Sequence, residues 1–151
     1  MASRRRAREY ALQALYEADL RGSSVADALN NLWSGALEGD DDDLRAPEEE
    51  EVAFTERLVS GVDGNRGAID TLLEECSTNW RVARMPVVDR NILRLASYEL
   101  VHCADIPLNV SINEALELAK RFSSAESRAF VNGILDRVCK TVRHTPKPIE
   151  G

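Results

Sequence analysis

The chain has 151 residues, 44% hydrophobic and 30% charged, long enough for one well-buried core and too short for two large domains. No run approaches the roughly 18 to 20 apolar residues that span a bilayer, and the first arginines lead into an amphipathic pattern rather than a signal-peptide block. A soluble, cytoplasmic protein without membrane contact is expected. The net charge of −7 is unevenly placed: residues 38–51 hold nine acids and one arginine, a local −8, so the rest of the chain sums to +1.

Apolar residues recur at three- and four-residue intervals, with no sustained alternation, which predicts an all-α chain of about seven helices. The first helix starts near Ser3 or Arg4, carries Ala7, Ala11, Ala14, Leu15 and Ala18 on one face, and ends at Gly22. Tyr10, Leu12 and Tyr16 widen that face, so this helix should be buried on more than one side. Ser24 and Asp27 suit the start of a second helix bearing Leu29, Leu32 and Trp33. Residues 38–47 read as an acidic, solvated loop, and Glu48 to Glu51 as the negative first turn of a third helix. Gly61, Gly64 and Gly67 interrupt the period before a short fourth helix resumes it from Ile69 to Cys76.

Pro86 suits the first turn of a fifth helix, again broad enough for burial on more than one side. Ser111 to Glu114 has the S-x-x-E form of a capping box and predicts the start of the sixth. A seventh follows Ser123 and Ser124, with Gly133 expected to permit a close backbone approach. Residues 145–151 read as a tail, leaving residues 1–144 as the folded domain.

Chemistry narrows the function further. There is no Gly-rich phosphate loop, no G-x-S-x-G and no HExxH, and the two histidines, His102 and His144, have no partner pattern. An enzyme is not expected, nor a cofactor. Cys76, Cys103 and Cys139 form no C-x-x-C pair and read as reduced core residues, so no metal site is expected. The outstanding cluster is Arg4, Arg5, Arg6 and Arg8, with no acid among residues 1–8. Guanidinium groups offer planar donors to phosphate and stack on bases, although a solvated basic terminus would look the same.

Four ordered blocks carry a resemblance: RRRAREYALQALY from Arg4 to Tyr16, VDRNILRLASYEL from Val88 to Leu100, VSINEALELAK from Val110 to Lys120, and FVNGILD from Phe130 to Asp136. In this order and spacing, over residues 4 to about 138, the chain resembles the NusB family of transcription antitermination proteins. The resemblance implies a helical fold of two three-to-four-helix subdomains without enzymatic activity. It implies binding to single-stranded boxA RNA of ribosomal RNA transcripts together with NusE, a small-subunit ribosomal protein, and work beside other Nus factors and RNA polymerase to sustain processive transcription. By position it assigns RNA contacts to Arg4, Arg5, Arg6, Arg8 and Gln13 and to Glu126, Arg128 and Phe130, and a partner contact to Asp89. Ser123 stands where members often carry glycine. Phe130 could equally be a core residue, and Asp89 a helix-start charge. Some relatives form homodimers, so a homodimeric assembly adaptor without direct RNA binding is the competing expectation.

Overall fold

The computed structural model describes residues 2–38, 46–78 and 80–144. Most of the expected acidic loop and the expected tail at 145–151 therefore lie outside the described residues. Among the described residues seven α-helices follow in order: α1 (Arg4–Arg21), α2 (Val25–Glu38), α3 (Glu49–Gly64), α4 (Arg66–Cys76), α5 (Val87–His102), α6 (Leu108–Phe122) and α7 (Ala125–His144), with a short 3-10 turn at Val82–Arg84. Among the described residues there is no strand. The chain divides into two compact units, one through Asp63 and one from Gly64, each built from three or four helices as expected.

In the first unit, local chemistry sets the helix ends. The Ser3 hydroxyl accepts from the Arg6 N–H at 3.2 Å and caps α1. Gly22 closes it in the left-handed region, φ 67°, where a side chain would be strained. Between these ends α1 buries Tyr10, Ala11 and Leu12 in succession, so more than one side is covered as expected. Ser24 accepts from the Asp27 N–H at 3.1 Å and starts α2, which packs against α1 with Trp33 edge-on to Tyr10, ring centres 5.4 Å apart. Glu49 to Glu51 form the first turn of α3, where the helix dipole favours acids. Gly61 does not interrupt this helix, which runs on to Gly64 before the break at Asn65.

The second unit is organised by α5, buried without interruption from Asn91 to Leu100 and packed against α4, α6 and α7. A helix buried all round must satisfy its polar side chains internally. Arg94 does so with a two-pronged contact to Asp70 of α4, Nε to Oδ1 at 2.8 Å and Nη2 to Oδ2 at 3.1 Å, and a third bond to Asn91. Glu99, also buried, accepts from the Ser111 hydroxyl at 3.0 Å.

Two readings of the helix starts are corrected by the structure. Ser111 is not a helix cap: α6 begins at Leu108 behind Pro107, and Ser111 lies inside it, turned to the Glu99 carboxylate. The proline ends the preceding segment earlier than the S-x-x-E pattern suggests. Pro86 likewise stands just before α5, as its N-cap, rather than in its first turn. Gly133 is exposed with open space where a Cβ would stand, so no close approach requires it. Cys76, Cys103 and Cys139 are free and buried, and burial raises the Cys76 thiol pKa.

Replacing Ser111 with Ala leaves a buried carboxylate short of one donor and should cost about 1–3 kcal/mol. Urea unfolding checks this. An unchanged midpoint would mean that Glu99 does not depend on Ser111.

Candidate nucleic-acid interface

The first set of expected site residues sits on α1, its arginines at the helix start and Gln13 at mid-helix. Arg4, Arg5 and Gln13 are exposed, Arg6 is half-buried, and Arg8 is only 3% exposed. Phe54 of α3 underlies this end. The Arg4 guanidinium carbon lies 4.4 Å from its ring centre, that of Arg8 5.4 Å and that of Arg57 5.9 Å, while Arg6 stands 5.3 Å from the ring of Tyr10. Guanidinium planes on an aromatic face are held in place without losing their charge.

A buried carboxylate anchors the same end. Glu51 accepts from the backbone N–H of Ser3 at 3.0 Å and from that of Glu48 at 2.9 Å, so one side chain joins the starts of α1 and α3. One turn on, the Thr55 hydroxyl lies within hydrogen-bonding distance of the carbonyls of Ala7, 3.2 Å, and Glu51, 2.7 Å. Above these groups opens a cleft of about 490 Å³ whose walls include Arg4, Glu50, Phe54 and Arg57. The arrangement fixes the direction in which the exposed arginines leave the helix. Sequence reasoning missed Arg57 and the supporting role of Phe54; their i, i+3 spacing was the available signal.

Removing the Glu51 carboxylate, as in Glu51→Ala, frees two backbone donors at two helix starts. Bonds to a charged group contribute about 1.5–3 kcal/mol each, so a loss of several kcal/mol in denaturant unfolding is expected. A change under about 0.5 kcal/mol, the range of an ordinary surface substitution, would show that the junction does not rest on this residue.

The second expected set lies in the other unit. Ser124 caps α7 by accepting from the Ser127 N–H at 3.1 Å. Glu126 and Arg128 are exposed in the turns that follow. Phe130 is half-buried, with its ring edge-on to Trp80. It is thus neither a full core residue nor an open one.

Asp89, expected at a partner surface, is 1% exposed, and its two carboxylate oxygens accept from the hydroxyls of Ser123 at 2.7 Å and Ser127 at 2.8 Å. It lies in the first turn of α5 and ties that turn to the α6–α7 connection. Ser123 has extended backbone, φ −136°, which any residue adopts, so the position has no need of glycine. Asp89 is therefore a buried, paired group rather than an open charge at the helix start. Asp89→Lys should lower stability by about 3 kcal/mol or more, because it buries an unpaired ammonium and strands two hydroxyls. Asp89→Asn, which retains a hydrogen-bonding oxygen, should cost less. Thermal unfolding of both variants tests the order.

Among the described residues no group of three or more His, Cys, Asp or Glu could hold a metal ion, and no helix is long and apolar enough to cross a membrane. Among the described residues, arginines set out on a capped helix start, buried polar clamps behind them and an all-helical frame define the class: an all-α domain with a basic helix end. Comparison with known proteins gives the family. A sequence model described as the NusB family matches residues 5–140. The transcription antitermination protein NusB of Myxococcus xanthus (strain DK1622) is 50% identical over 138 residues, covering 91% of this chain and 95% of that protein. The structure of T. maritima NusB superposes with a TM-score of 0.79 at 36% identity, covering 93% of each chain. A structure described as antitermination factors NusB and NusE in complex with dsRNA has the same fold, with a TM-score of 0.79 at 23% identity over 91% of this chain and 96% of that one. The chain belongs to the NusB family, which comprises transcription antitermination factors and not enzymes.

Proposed function

We propose that this NusB-family chain binds single-stranded boxA RNA of ribosomal RNA transcripts jointly with NusE, in the cytoplasm, and with other Nus factors supports the processivity of RNA polymerase. The observation that carries the reading is the exposure of Arg4 and Arg5 on a helix start held from behind by Ser3, Glu51 and Phe54. Preorganised guanidinium groups supply affinity for any phosphate chain. Phosphate contacts position a strand, whereas base contacts specify it; in this reading Gln13, Glu126, Arg128 and Phe130 supply the second kind. The joint reading with NusE is supported by a relative of the same fold, described as NusB and NusE in complex with dsRNA.

Burial splits the arginine cluster by role. Arg4, Arg5 and Arg6 contact phosphate, and Arg8, 3% exposed beside Phe54, supports the surface from beneath. Asp89 acts on the partner side indirectly, by holding Ser123 and Ser127 ahead of Arg128 and Phe130.

Each phosphate neutralised on a single strand contributes about −0.7 to the slope of log affinity against log salt, so three arginines account for a slope of about −2. Replacing Arg4, Arg5 and Arg6 by Ala should flatten the salt dependence by that amount, weaken boxA and control RNA alike, and leave the helical signal intact. Arg8→Ala should mainly lower stability. The measurement is RNA titration at several salt concentrations, with and without NusE. An unaltered affinity and slope in the triple variant would defeat the reading and favour a homodimeric adaptor that does not touch RNA.

A further inference from the structure

We infer that Trp80 joins Phe130 in a base-stacking platform for single-stranded RNA, an addition that rests on the function proposed above. Trp80 is 43% exposed, so apolar ring surface is available there for a ligand to cover, and covering it is favourable. Its ring meets that of Phe130 at 66° with centres 4.8 Å apart. An edge-to-face pair engages an edge of one ring and a face of the other, and the exposure of Trp80 leaves part of its indole open to a planar ligand.

The described residues flanking Trp80 are held from several directions. Arg137 of α7 donates to the Cys76 carbonyl at 2.8 Å, just where α4 ends. The hydroxyl of the buried Ser77 lies 3.2 Å from the Glu74 carbonyl and 3.0 Å from that of Trp80 itself. Thr78 sits in the left-handed region, φ 57°, a conformation kept only when its surroundings impose it. Beyond Trp80, the Val82 N–H donates to the Glu74 carboxylate at 3.2 Å. Bonds on both sides of the ring position its backbone before any ligand arrives, which lowers the cost of stacking.

The neighbours select a polyanion over an apolar protein segment. Arg81 follows Trp80 directly, Arg128 precedes Phe130 by two residues, and both are exposed. Aromatic faces flanked by cations are the elements that hold unpaired bases and their phosphates.

The chain has two tryptophans, so Trp33→Phe leaves Trp80 as the single emitter. Titration of that protein with a boxA oligoribonucleotide should quench its fluorescence along the same saturation curve as RNA anisotropy. Trp80→Leu keeps an apolar cover on Phe130 but removes the π face. It should weaken RNA binding about 5- to 150-fold without altering the salt slope or the unfolding midpoint, while Trp80→Phe keeps most of the affinity. RNA binding that leaves Trp80 emission and the affinity of Trp80→Leu untouched overturns the platform and spares the proposed function. Emission that answers only to the protein partner also overturns it, marking a protein contact. Failure of the wild-type chain to bind RNA, with the partner present, removes the proposed function and the platform together.

Discussion

Four arginines in the first five residues of α1 stand at the positive end of a helix dipole, where each cation is unfavourable by a few tenths of a kcal/mol or more. Such a start does not hold on its own merits. Ser3 takes up an N–H, Glu51 brings a buried negative charge to the same point, and Phe54 offers its negative face to two of the guanidinium groups. The acids that open α3 are thus more than a favourable first turn for their own helix. Glu51 among them ties down the basic helix end, and order is what turns the exposed arginines into a surface with a direction.

The second unit meets a related constraint at α5. A helix enclosed by three others has to answer its polar side chains internally, and of Asp89, Asn91, Arg94, Ser97 and Glu99 it leaves the Ser97 hydroxyl alone without a hydrogen-bond partner. Most of these are answered by another element: Arg94 by α4, Glu99 by α6, and Asp89 by Ser123 and Ser127 around the α6–α7 connection. Each pair fixes one neighbour against α5, so the buried polar groups set alignment while the leucines supply the burial. The platform side chain Phe130 and the exposed Arg128 follow directly from the connection so fixed.

Much of this was legible in the sequence, and the parts that were not share a physical reason. The Ser3 and Gly22 ends of α1, the Ser24 cap and the seven helical periods depend on residues within four positions of one another, and local pattern reports them well. Ser111 misled because its pattern suits a cap, while its partner Glu99 lies twelve residues upstream on another helix. Asp89 misled in the same way, with partners 34 and 38 residues away. Arg8 was readable in principle: it shares a face with Leu12 and Leu15 at i+4 and i+7, so it belongs to the buried side of α1 despite its charge. Trp80 had no periodic segment around it, and only the fold brings it to Phe130.

The three thiols of the second unit carry one more consequence. Cys76, Cys103 and Cys139 belong to three different parts of that unit, the end of α4, the end of α5 and the body of α7, and all are buried. A thiol reacts as its thiolate and only when reached, so in the native state modification must wait for the surrounding helices to part. The natural cysteines therefore act as three clocks of local opening, each timing a separate stretch of the same unit: one that ticks ahead of the others identifies the helix that loosens first.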